Sequence, residues 1–199
     1  MNYDGSILII GGRACYSGRG RVGVFQWKEN GESMEWIQMG NDFVGDADGD
    51  LMGYLRCVSI THNGMTVSVG AYKCDGTKGL VRVYDYDESE EMWNKFGGDL
   101  TGDYSDDYFS ANVLSNDGMY LAFGAWNKNY VEVFEKGVSD YFVSGNKVIG
   151  EGGGWFGGTV DSTDDGSVVA IGDFCYSFYN GVGKAYLYST TCDSSECHD

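Results

Sequence analysis

Apolar residues along this chain follow two rhythms. The runs "SILIIGG", "MTVSVGA", "MYLAFGA" and "SVVAIGD" are apolar at consecutive positions and lead into a glycine. Consecutive apolar residues over so short a length describe a strand covered on both faces. The segments that follow them, "GRVGVFQWK", "GLVRVYDYD", "YVEVFEKG" and "GKAYLYS", alternate instead, as strands with one wetter face do. No stretch carries apolar residues at helical spacing over about eleven positions. The 32 glycines would each cost about 1 kcal/mol in a helix interior. The pattern predicts an all-β chain.

The same pattern repeats. Trp36 and Trp93 lie 57 residues apart, as do Gly45-Asp46 and Gly102-Asp103, and Gly150-Glu151 follows 48 residues later. The dipeptides Asp4-Gly5, Asn63-Gly64, Asp117-Gly118 and Asp165-Gly166 mark four copies. Asx-Gly between apolar runs is a strong hairpin signal, because both residues can take positive φ. Strand A precedes this turn ("YLRCVSI", "YFSANVLS", "FGGTVDS"), strand B follows it, and the alternating strand C comes next. Strand D carries tryptophan in "MEWIQMG" and "EMWNKFG", whereas the third copy has "DYFVSGNKV". Trp36 and Trp93 are expected to fill the packing between neighbouring sheets.

Four-stranded antiparallel units of about 40 to 50 residues, each with its own aromatic, predict β-propeller blades. The copies span a partial unit 1–45, full units 46–102 and 103–150, and a partial unit 151–191, with a polar Cys-containing tail at 192–199. The strands read BCD, ABCD, ABCD, ABC. This order is expected of a propeller fragment, or of a short irregular propeller whose open ends are covered by further chain or by a partner subunit.

Several residues carry a family resemblance. Phe156-Gly157, with the related pairs Met52-Gly53 and Phe109-Ser110, recurs together with "VGA" at Val69–Ala71 and "FGA" at Phe123–Ala125. The succession resembles FG-GAP repeats, which build the propeller of integrin α chains and of many extracellular proteins. The resemblance implies a recognition role in cell adhesion or at a cell surface, with ligand contacts on one loop face. The calcium loop of that family, an Asp-rich DxDxDG segment between strands A and B, has no counterpart in "THNG", "SNDG" or "TDDG".

In an antiparallel meander the B–C and D–A connections share one face. The B–C connections begin with Arg13, Tyr72, Trp126 and Phe174, which nominates these four as ligand-binding residues: aromatic planes stack on sugars or cations. The same residues could instead fill gaps between blades. The D–A connections carry Asp46, Asp48 and Asp50 in one copy, Asp103, Asp106 and Asp107 in the next, and Glu151 in the last. Several oxygens in one loop make the six aspartates a candidate for weak calcium binding, or simply a solvated edge.

Charge and cysteine content narrow the partners. Thirteen basic against thirty acidic residues give a net charge of -17, which repels phosphate backbones and argues against nucleic acid. No apolar run approaches the length of a membrane span, and the first residues show no signal-peptide pattern. Of six cysteines, Cys192 and Cys197 are the best local candidates for a disulfide, with zinc as a competing reading because His198 is adjacent. Cys15, Cys74 and Cys175 sit at matching places in three copies, where neighbouring blades are commonly too far apart for a bridge.

Catalysis draws little support. The two histidines, His62 in a hairpin turn and His198 in the tail, do not converge on a centre, and "GEGGGWFGG" precedes a strand rather than the helix a phosphate loop needs. The expectation is a non-enzymatic protein- or glycan-recognition module, extracellular or at a cell surface. A purely structural subunit of a filament or complex is the alternative. A carbohydrate-active enzyme with paired carboxylates is another.

Overall fold

A computed structural model describes residues 1–54, 56–109, 111–143, 147–151, 155–173 and 183–190. The first sheet holds β1 (Ile7–Gly12), β2 (Arg21–Asn30), β3 (Ser33–Gln38) and the short β4 (Phe43–Val44). The second holds β5 (Val58–Ile60), β6 (Thr66–Ala71), β7 (Leu80–Asp87) and β8 (Met92–Thr101). The third holds β9 (Asn112–Leu114), β10 (Tyr120–Ala125), β11 (Tyr130–Lys136), β12 (Tyr141–Val143) and β13 (Val148–Ile149). The fourth holds β14 (Phe156–Ser162), β15 (Val168–Asp173) and β16 (Lys184–Ser189). All the strand pairings inside these sheets are antiparallel. Among the described residues the regular structure is otherwise strand, and the short turn Cys74–Thr77 carries left-handed backbone at Asp75 and Gly76.

The hairpin turns differ from expectation in one respect. At each Asx-Gly only the glycine has positive φ: Gly5, Gly64, Gly118 and Gly166, at 78°, 78°, 74° and 68°. The Asx side chain works instead as an acceptor, taking the N–H two residues on (Ser6, Met65, Met119 and Ser167, at 2.8 to 3.0 Å). A hydroxyl from Thr61, Ser115 or Thr163 closes three of the turns on the same Asx oxygen. The side chain rather than a left-handed backbone thus fixes the Asx position.

Strand D is not the unbroken strand that its sequence suggests. The gap between β3 and β4, the register shift between Val81 and Val83 opposite β8, and the gap between β12 and β13 fall at corresponding places in three sheets. Gly40 and Gly97, 57 residues apart, take positive φ at two of these breaks. Strand A is also shorter than expected in the second and third sheets.

Successive sheets pack face to face. β5 lies against β1 and β9, and β14 against β9 and β10. Each interface is built alike. Val22 and Val24 of β2 meet Val67, Val69, Leu80 and Trp93 of the second sheet. Val81 and Val83 meet Leu121, Phe123, Tyr130 and Tyr141 of the third, and Val131 and Val133 meet Phe156, Val169 and Ile171 of the fourth. Covering strands B and C on both faces explains why their apolar residues are consecutive. Glycines allow close approach at the joints: Gly20 bridges to Met52 and Gly79 to Phe109, so the start of strand A hooks onto the preceding sheet.

The two strand-D tryptophans separate. Trp93 is 9% exposed and its indole N–H donates to the Met39 carbonyl at 2.8 Å, across the first interface. Trp36 is 40% exposed and meets only Trp27 of its own sheet among the described aromatic contacts. The expected packing role of Trp36 is therefore corrected. Its sheet has no described neighbour on that side to cover it.

Candidate functional site

The nominated aromatic positions converge, and on more partners than the sequence suggested. Tyr72 follows β6 and Trp126 follows β10, so the ends of equivalent strands bring them to the same edge of adjacent sheets. Tyr108 contacts both, stacked on Tyr72 (ring centroids 4.8 Å, planes 17° apart) and on Trp126 (5.6 Å, 17°), so the three rings form a triangular cluster. Tyr72 and Trp126 are themselves nearly parallel, at 3° and 6.3 Å. Tyr54 meets Tyr72 edge-on at 5.5 Å, and the Arg13 guanidinium lies 4.7 Å over the Tyr54 ring. At the other end Trp155 meets Trp126 at 5.3 Å. A continuous run, Arg13–Tyr54–Tyr72–Tyr108–Trp126–Trp155, thus crosses all four sheets. Arg13 is exposed and the aromatic members are half-buried. Phe174 lies outside the described residues.

Tyr54, Tyr108 and Trp155 were not read as site residues, because they sit in connections whose pattern carries no period. A signal existed for two of them: Tyr108 and Trp155 immediately precede Phe109 and Phe156 at the start of strand A. Burial raises the Tyr72 phenol above its ordinary range, and the neighbouring Tyr108 and Tyr54 add to this. Tyr108 is raised by burial and by Asp106. Both phenols are hydrogen-bond donors at neutral pH.

The acidic connections do something other than gather a cation. Asp46 takes both ends of the Arg82 guanidinium, at 3.1 and 2.6 Å, and Arg82 is shared with Asp99 at 2.9 and 2.8 Å. Asp103 is paired with Lys147 at 2.6 Å, which also reaches Glu132 at 3.0 Å. Asp106 accepts from the Thr77 hydroxyl at 2.7 Å. Asp50 and Asp107, equivalent and buried, each accept the N–H three residues back, from Ala47 at 2.8 Å and Tyr104 at 2.9 Å. Asp107 also accepts from the Tyr130 hydroxyl at 2.7 Å. Asp48 is exposed, 3.9 Å from the Arg19 guanidinium.

The structure does not draw Asp46, Asp48, Asp50, Asp103, Asp106 and Asp107, the calcium candidates, into one cluster. These carboxylates engage guanidinium, ammonium, hydroxyl and backbone N–H donors, while the buried Asp107 Oδ1 has no hydrogen-bond partner. Among the described residues no three His, Cys, Asp or Glu side chains come together as a metal site. What the acidic residues supply is rigidity. Asp173, buried at the end of β15, accepts the Trp155 backbone N–H at 3.0 Å and so ties down the chain that carries the last ring of the run.

The described cysteines Cys15, Cys57 and Cys74 are free thiols. Burial raises the Cys57 thiol well above the ordinary range and the Cys74 thiol to about 11, with Asp50 and Asp46 contributing to the latter. These two stay protonated and inert at neutral pH. Cys175, Cys192 and Cys197 lie outside the described residues.

No family model and no curated protein matches this chain. Solved structures do. The chain is similar to hydrazine synthase of Kuenenia stuttgartiensis (TM-score 0.59, 14% identity, 97% of this chain and 58% of that one). It is similar to the periplasmic gluconolactonase PpgL of Pseudomonas aeruginosa (0.56, 15%, 95% and 55%). TolB from Acinetobacter baumannii is a third (0.53, 12%, 92% and 38%). At these identities the likeness concerns the fold alone. The fold is β-propeller-like, and the chain spans 38 to 58% of the length of these three structures.

Proposed function

We propose that this chain is a non-enzymatic recognition module of the FG-GAP-like kind, extracellular or at a cell surface, that binds an extended glycan across its aromatic run. One observation carries the reading: five half-buried rings and the exposed Arg13 form one contiguous patch, with Tyr72, Tyr108 and Trp126 in mutual contact at its centre, on the face shared by the B–C and D–A connections. Aromatic planes and phenolic donors suit sugar rings, which offer apolar faces ringed by hydroxyls. A basic peptide fits less well, because Asp46 and Asp103 are already neutralised by Arg82 and Lys147.

The location in this reading is supported by the periplasmic setting named for the Pseudomonas protein, and among the described residues no helix is long and apolar enough to cross a membrane. The test is glycan-array capture followed by titration calorimetry on Tyr72→Ala and Trp126→Ala. Capture is expected to be lost while stability stays within about 1 kcal/mol. A collapse of stability, or capture that survives both changes, would assign these rings to packing instead.

A further inference from the structure

The repeat shows which residues of the outermost sheets are dressed for a neighbour they do not have. On the side of each sheet that meets the preceding one, β6 and β7 place Val67, Val69, Tyr84 and Tyr86, and β8 places Trp93. The matching positions of the first sheet are Leu8, Ile10, Phe25, Trp27 and Trp36, as the pairings Leu8↔Phe25 and Trp27↔Trp36 require. Val69 is fully buried, whereas Ile10 is 50% exposed; Trp93 is 9% exposed, whereas Trp36 is 40%. A hollow of about 210 Å³ opens on this face between Ile10, Arg21, Gly23 and Phe25.

The opposite side tells the same story at the other end. Val22 and Val24, Val81 and Val83, and Val131 and Val133 are the side chains that each sheet presses onto the next, and all are 3% exposed or less. In β16 their equivalents by register are Ala185 and Leu187, with Leu187 at 80% exposure. Among the described residues there is thus one uncovered apolar face of each kind, and the three interfaces inside the molecule show that these two kinds pack together.

We propose that a second copy of this chain occupies these faces, β15–β16 of one copy packing on β1–β3 of the other, head to tail. One fact favours a copy as the occupant: the complementary face is present on the same molecule, and the three interfaces inside it show faces of these two kinds packed together. A heterologous contact closes into a ring when its rotation permits, and two copies related by a half-turn form two identical contacts. The surface involved is separate from the aromatic run.

Light scattering and native mass spectrometry on the full chain test this. Wild type is expected to be a dimer. Ile10→Lys alters one face and Leu187→Lys the other, so each variant alone is expected to be monomeric. An equimolar mixture is expected to regain a dimer, because one contact then joins two unaltered faces. A monomeric wild type, a dimer indifferent to both changes, or a mixture that stays monomeric would overturn the proposal. Should either variant fail to fold, acrylamide quenching of wild type decides: protection of tryptophan is expected to rise with protein concentration, and to do so less in Trp27→Phe/Trp36→Phe. No change with concentration would overturn the proposal.

Discussion

Trp93 and Trp36 occupy the same position of the same motif and differ in what surrounds them. Trp93→Ala removes a buried indole and its hydrogen bond to Met39, an expected loss of about 3 to 4 kcal/mol in chemical denaturation. Trp36→Ala is expected to cost under about 1 kcal/mol, measured on dilute, monomeric protein. Charge shows the same dependence on context. Hydrogen bonding from Arg82 holds the Asp99 carboxyl down at about 2, against the opposing effect of burial and with help from Lys95. Its ordinary value is 3.8, so the stabilisation is complete above that pH and disappears as pH falls through about 2. Asp99 is a third exposed, which screens the effect to about 1 kcal/mol. Asp99→Asn is expected to flatten the stability profile between pH 4 and 2, measured by denaturation at fixed pH.

At the scale of elements, hydrophobic rhythm was enough to place strands A to D in order, and the Asx-Gly turns set their register. It did not show the break in strand D, because a bulge depends on what the neighbouring sheet inserts there: the Trp93 indole packs at Gly40, and Asp140 at Gly97. Nor did it show why the glycine after Phe156 is needed. Gly157 has φ of +82°, and an added Cβ would lie 2.9 Å from the Tyr130 carbonyl and 3.2 Å from the Gly124 Cα. Gly157→Ala is expected to cost about 2 to 4 kcal/mol, seen as a lowered melting temperature, since backbone on both sides leaves no room to yield. The aromatic run was partly legible: Arg13, Tyr72 and Trp126 follow from the equivalence of B–C connections. Tyr54, Tyr108 and Trp155 come from connections with no periodic pattern, and only the packing of adjacent sheets brings them into line.

The described residues form a row of sheets joined by a repeated contact, with one face at each end that no other described sheet covers. Its net charge of -17 bears on any association between copies, because like charges repel over a Debye length of about 10 Å at 0.1 M salt. Apolar faces carry the proposed dimer, so raising salt from about 0.02 to 0.3 M is expected to strengthen it several-fold. Sedimentation equilibrium would read this directly, and a dimer weakened by salt would point to charged contacts instead.

Sequence alone determined the all-β class, the four-fold repetition, the strand order and three members of the aromatic run, because these depend on local periodicity and on the equivalence of repeats. Tertiary structure decided which of two equivalent tryptophans is buried, and that the acidic connections brace loops rather than gather a cation. It also decided that rings from three sheets, with Arg13 from the first, meet in one patch. The physical reason is common to all three: a side chain's partners lie on a neighbouring sheet some 50 residues away, and no local pattern records whether that neighbour is there or where its donors point.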